Sequence, residues 1–238
     1  MKKSFLAGVV GVSLLLSGCG LFVNGTGDSG GILIEKDKAK ELELELKIGA
    51  GQLNVSDGTK EWVEGTIDYK NDKLKPDVSY KLKGNKGTAV IEQGDGLLDK
   101  INFGETKNHW NLNLSDDIPV DLKVNSGASE TSLDLKGLEL MNLEVNAGVG
   151  DVTIDLGGDW KESFDATLSM GVGKSTIILP SEVGVKIDSS KGIGNASFND
   201  LISKGDGIYV NQAYEDGTDV IINLETSLGI GDATFKVE

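Results

Sequence analysis

The side chains able to do covalent or acid–base chemistry are few. Cys19 is the only cysteine and His109 the only histidine in 238 residues. A lone thiol leaves no disulfide or redox couple, and a lone imidazole leaves no multi-histidine zinc site and no Ser/His/Asp relay except one built on that residue. Gly171-Val-Gly-Lys-Ser-Thr176 has the tail of a phosphate-cradling loop, but the glycine that would open such a loop falls at Leu168, and Gly-x-Gly recurs elsewhere without a lysine. Gly-x-Gly-Asp at 148–151 and 229–232 resembles calcium-binding β-roll repeats, which place their aspartate two residues after the second glycine. The equivalent position in the other repeats is Gln52, Glu130, Lys174 or Asn195, and a cation ladder does not accommodate Lys174. The acidic turns at 115–117 and 215–219 lack the twelve-residue alternation of an EF-hand loop. Any of 38 acids could pair in space as a glycosidase couple, but no spacing singles out two. These residues predict no catalytic centre, no metal site and no cofactor.

The sequence does point to acylation, at Cys19. Lys2 and Lys3 precede an apolar run over 5–16 of about twelve residues, too short for the ~20 of a spanning helix, so residues 1–18 read as a signal peptide. Leu16-Ser-Gly-Cys19 resembles the bacterial lipobox, in which diacylglycerol is attached to the cysteine and the signal is cleaved just before it. Two or more acyl chains hold a protein where one cannot. The expectation is an extracytoplasmic protein whose membrane contact is the lipid on Cys19. Residues 20–31, rich in Gly, Ser, Asn and Asp, read with Cys19 as a flexible tether over 19–31.

The formal charge is −15, and loss of Lys2 and Lys3 with the leader takes it to −17. Nucleic acid is excluded as a partner by that sign. With 33 glycines, 3 prolines and no sustained helical periodicity, the composition predicts an all-β chain of short strands and tight turns.

An internal repeat sets the elements. Six segments centre on Gly-x-Gly or a near variant, beginning at Gly49, Gly127, Gly148, Gly171, Gly192 and Gly229. Four of them follow at intervals of 21, 23 and 21 residues, the signature of a stacked solenoid. Seven and five residues before the first glycine stand Leu42/Leu44, Val120/Leu122, Met141/Leu143, Phe164/Ala166, Val185/Ile187 and Ile222/Leu224, all apolar. The residue after that glycine (Ala50, Ala128, Val149, Val172, Ile193, Ile230) and the one six beyond it (Val55, Leu133, Ile154, Ile177, Phe198, Phe235) are apolar too. Inward positions fall at odd offsets before the glycine and at even offsets after it, so the alternation slips by one, as at a bulge or corner. Each unit therefore reads as strand, glycine bend, strand, turn, and no unit can bury its apolar face alone. The 37-residue gap before Gly229 predicts an added hairpin within 204–217. Tyr209 and Tyr214 in that insertion are candidate surface contacts, with packing over the last coil the competing role. Alternating stretches at 42–48, 63–69, 78–82 and 110–114 read as an antiparallel meander capping the stack. Asn54, Ser132, Thr153, Thr176, Ser197 and Thr234, five residues past each first glycine, predict an outward hydroxyl-rich file that suits either glycan contact or ladder hydrogen bonding.

The run Asn108-His-Trp-Asn-Leu-Asn-Leu-Ser-Asp-Asp-Ile-Pro-Val-Asp-Leu-Lys-Val-Asn125 and the repeat at 138–156 resemble the toast-rack family. The resemblance implies a toast-rack N-terminal β domain over 32–126 and a β-solenoid domain over 127–238 similar to the "putative adhesin" group and to the extracytoplasmic part of LiaF-like stress regulators. Ser129 departs from the pattern where the other repeats have a second glycine. The family brings no known catalytic residues. The function expected is a non-catalytic, membrane-anchored binding or scaffold module of the cell envelope, with an envelope protein or glycan as partner. The alternatives are an accessory sensor of a LiaF-like envelope stress response and a carbohydrate-active enzyme on a β-solenoid.

Overall fold

The computed structural model describes residues 21–24, 29–69, 74–94 and 108–238. The signal peptide and Cys19 lie outside the described residues.

Each glycine repeat bends one ribbon of chain into two strands, and stacking the bends produces two faces that meet along a glycine line. On the leading face the neighbours are β5 (Asp77–Lys83), β6 (Lys86–Glu92), the first half of β3 (Glu41–Thr59), the first half of β8 (Pro119–Asp134), β9 (Glu139–Val149), β11 (Phe164–Val172), β17 (Ile221–Ile230), β13 (Gly184–Ile193), β16 (Ile208–Val210) and β15 (Ile202–Gly205). On the trailing face they are β1 (Leu21–Asn24), β2 (Ser29–Ile34), β4 (Val63–Tyr69), β7 (Asn108–Ser115), the second halves of β3 and β8, β10 (Val152–Asp155), β12 (Ser175–Leu179), β18 (Ala233–Val237) and β14 (Ala196–Asn199). β3 and β8 run unbroken through the corner, so the faces are one folded sheet. The pairing is parallel in the middle of the stack and antiparallel at both ends of the leading face and at the β1 end of the trailing face, whereas β14 closes the other end in parallel.

Period-two alternation explains the core. In β11 Phe164, Ala166, Leu168 and Met170 point inward, and in β3 Leu42, Leu44, Leu46 and Ile48 do. The two faces close on one continuous apolar interior that runs from Ile32 to Phe235. The residue-126 boundary falls inside β8 and marks no break in that interior. The all-β solenoid architecture holds, with a refinement in its first part. β4 and β5 are the antiparallel elements expected there, but residues 42–48 belong to β3, the first coil of the stack. β7 is the seam, parallel to β3 on one side and antiparallel to β4 on the other.

Several expectations are corrected. Within the stretch expected as tether, Leu21–Asn24 pairs antiparallel with Ser29–Ile34, in a register that sets Leu21 opposite Ile34 and Val23 opposite Ile32. Met141 is not inward but 38% exposed: a bulge opposite Val120 and Asp121 skips it, and Leu140, 3% exposed, takes the core position. The apolar residue after each first glycine, at an odd offset, follows the expected slip of the alternation and lies outside the core, with Val149, Val172, Ile230 and Ile193 all exposed. Finally, the coils do not stack in chain order. The last coil, β17 with β18, lies between the coil of Gly171 and the coil of Gly192.

The insertion before that last coil is the expected hairpin, β15 with β16, followed by one helical turn α1 (Gln212–Glu215). Buried Asn211 fastens it: its Oδ1 accepts from the amides of Val185 and Tyr214, and its Nδ2 donates to the carbonyls of Pro180 and Val183.

Candidate functional site

The glycine line decides the geometry of the surface as well as the turn. A Cβ on Gly127, Gly148, Gly171, Gly229 or Gly192 would lie within 2.1–2.5 Å of the carbonyl oxygen of the corresponding glycine in the neighbouring coil. The second glycine of the bend is as tight: a Cβ on Gly173 would lie 2.0 Å from the Gly150 carbonyl, at a φ of +145° that L side chains rarely adopt. Ser129 does without positive φ; its hydroxyl is buried and 3.2 Å from that of Thr131.

A row of glycines with no side chains leaves a trough. It is an open groove of about 860 Å³ on the leading face beside the corner, crossing β6, β3, β8, β9, β11 and β17. Its floor is the glycine row. Its wall is the outward residue two before each glycine: Lys47, Asn125, Asn146, Ser169 and Ser227, with Glu92 from β6 beyond Lys47. Six strands at ~4.8 Å spacing make it about 24 Å long.

Only one end of the groove is charged. The Lys47 ammonium lies 3.2 Å from Glu45 and 3.6 Å from Glu92, and its hydrogen bond to Glu45, with Glu92 adding, raises its pKa above the ordinary 10.5. Farther along, Asn146 donates to the Asn125 amide oxygen at 3.1 Å and to Glu144 at 2.7 Å, while Asn125 donates to Glu45 at 3.0 Å. These bonds fix the two amides side by side along the wall.

At the same end the first corner lacks a preceding coil, and two side chains replace it. Gln93 Oε1 accepts from the amides of Gly49 at 2.8 Å and Ala50 at 3.1 Å, and from Asn108 Nδ2 at 3.0 Å. Asn108 Nδ2 also donates to the Ala50 carbonyl at 2.6 Å, and Asn108 Oδ1 accepts from Trp110 Nε1 at 2.9 Å. Sequence reasoning missed Gln93: neither its type nor its spacing marks it, and only the fold brings it to the corner.

The other residues singled out by sequence lie away from the groove. The hydroxyl file is in register on the trailing face and is longer than expected, running Thr66, Asn111, Asn54, Ser132, Thr153, Thr176, Thr234, Ser197. Asp151 accepts from the Lys174 amide at 3.1 Å, and Asp232 from the Asn195 amide and side chain, so the acids of Gly-x-Gly-Asp tie one bend to the next. His109 is half-buried on β7, opposite Gln52 and Asp68. Tyr209 stacks on Phe198 with ring centroids 3.6 Å apart, and Phe198 on Phe235 at 4.8 Å, so Tyr209 closes the end of the stack; Tyr214 is half-buried on α1. Among the described residues no three His, Cys, Asp or Glu side chains are grouped to hold a metal.

Comparison with known proteins places this architecture. Residues 23–178 match the family described as the N-terminal domain of toast_rack, DUF2154. The chain belongs to the toast-rack family. The toast-rack match runs past residue 126 into β12, in keeping with a core that has no break there. A solved "putative cell adhesion protein" from Clostridium sporogenes is 30% identical, with 90% of this toast-rack chain and 100% of that one covered at a TM-score of 0.86. A "putative adhesin" from Bacteroides fragilis is 12% identical over 90% of this chain and 98% of its own, with a TM-score of 0.32. Another from Parabacteroides distasonis is 11% identical over 91% and 99%, with a TM-score of 0.29. No curated protein matches the toast-rack chain.

Proposed function

We propose that this toast-rack protein is a non-catalytic binding module of the cell envelope, held outside the cytoplasm by lipid on Cys19. The groove over the glycine line carries the reading. It is long and open, and its wall is uncharged beyond Lys47 and Glu92. The relative from Clostridium sporogenes, similar over nearly the whole chain and described in terms of cell adhesion, supports binding over turnover. The lipobox-like run ending at Cys19 supports the anchor, and the short gap from Cys19 to β1 would hold the fold close to the lipid surface.

The first strand, β1, starts after Cys19, so binding can be tested apart from anchoring. The chain from residue 20 onward is expected to co-sediment with isolated envelopes, and Ser169→Trp, which fills the groove from its outer wall, is expected to abolish that. Equal sedimentation of the two proteins, or of neither, would remove the groove as the binding site.

A further inference from the structure

Gln93 is 7% exposed and lines the groove, and its Nε2 has no hydrogen-bond partner among the described residues. The amide cannot be turned round, because three donors converge on its Oε1 and an NH2 in that place would face two backbone N–H groups. A buried amide N–H without an acceptor costs about 1–3 kcal/mol, and among the described residues the site lacks the oxygen that would take it. Gln93 lines the end of the groove, so a ligand lying there brings an oxygen to that side chain.

Three features narrow the ligand. The wall beyond Lys47 and Glu92 is Asn125, Asn146, Ser169 and Ser227, uncharged in a chain of formal charge −15. A polyanion would be repelled by the surrounding surface, and a polycation would find at the wall one carboxylate, Glu92, already beside Lys47. The groove also runs across strands that are already neighbours in the sheet, with the residues on either side of each floor glycine paired in the parallel ladder, so it offers no free strand edge for a peptide to extend. Contact is left to flat packing on the glycine floor and to side-chain amides and hydroxyls at ~4.8 Å intervals.

We infer that the groove binds a linear, neutral glycan strand bearing N-acyl groups, one acyl oxygen accepting the hydrogen bond that Gln93 Nε2 leaves unmade. This rests on the binding-module reading and names its ligand class. The test is calorimetric titration of the chain from residue 20 with three probes: an N-acetylglucosamine hexamer, a glucose hexamer of the same linkage, and a neutral peptide of similar length. The N-acetylated hexamer should bind, the glucose hexamer about tenfold more weakly or not at all, and the peptide not at all. Gln93→Glu keeps an acceptor for Gly49 and Ala50 while removing the donor, and should cost about tenfold in affinity. Should Gln93→Glu not fold, Ser169→Trp, on the outer wall, still decides: it should abolish binding while leaving thermal unfolding unchanged. No binding of the N-acetylated hexamer, equal binding by Ser169→Trp, or preference for the peptide each overturns the inference. If the glycan fails while Ser169→Trp still blocks envelope co-sedimentation, the ligand class is wrong and the binding module stands; if both fail, both readings fall.

Discussion

Gly173 and Gly58 both hold positive φ, at +145° and +102°, but only one of them is crowded. A Cβ on Gly173 meets the Gly150 carbonyl at 2.0 Å, whereas one on Gly58 meets nothing within 4 Å. Gly58→Ala should therefore cost only the backbone strain, about 1 kcal/mol, while Gly173→Ala adds the inter-coil collision and should cost at least ~3 kcal/mol in urea unfolding. Equal costs would mean that the bends do not rely on close approach. Glu144 supplies a test of charge at the same scale. Its hydrogen bonds from Lys123 at 2.9 Å and Asn146 at 2.7 Å lower its pKa below the ordinary 4.5, so the folded state favours the carboxylate. That contribution is present above the unfolded value and is lost as pH falls through the lowered folded one. The side chain is 36% exposed, so the effect is about 0.5 kcal/mol. Glu144→Gln should be less stable than the natural chain by that amount at neutral pH, and the gap should close well below pH 4.5.

Among the elements, the out-of-order coil has the largest consequence. Among the described residues β14 pairs only with β18, and β13 only with β17 and β16, so the coil of Gly192 reaches the rest of the stack through the C-terminal coil. Chain ending at residue 217 should lose both. Hydrogen exchange is expected to show β13 to β16 unprotected while β8 to β12 stay protected, because each of those keeps an in-register parallel neighbour. Chain ending at residue 182 should be no less protected in β8 to β12 than the longer one. Were β13 protected without β17, the pairing order would be wrong. The same arrangement makes folding depend on contacts far apart in sequence: residues near 190 wait for residues near 227, which slows the closing step.

At the scale of the molecule, the order of strands gives the stack a direction. β1, at one edge of the trailing face, begins two residues after Cys19, and β14 is nine strands away at the opposite edge, about 43 Å off. If Cys19 is acylated, the coil of Gly192 and the Tyr209 cap stand far from the lipid, and the groove runs along the stack. Cys19→Ala is expected to release the protein from membranes and to remove the mass of the lipid. On the anchored protein, a fluorophore at Asn199 should be quenched far less by bilayer-bound acceptors than one at Glu64 on β4. Equal quenching would mean that the stack lies flat. Release without change of mass would place the anchor elsewhere.

Local chemistry was enough for much of this. Period-two alternation and recurring glycines determine the strands, the corner and the inward rows, because a strand side chain has only two directions and the tight bend excludes a Cβ. The lipobox-like run is legible for the same reason, being contiguous. Stacking order was not legible: coils with nearly identical apolar rows, such as those of Gly171, Gly192 and Gly229, can neighbour one another in any sequence, and the long insertion that lets β17 return between β11 and β13 carries no mark of where it leads. Nor was the bulge at Met141, nor the groove and the Gln93 amide at its end. These arise from backbones approaching across the stack, and only the assembled coils decide which surfaces a missing side chain leaves open.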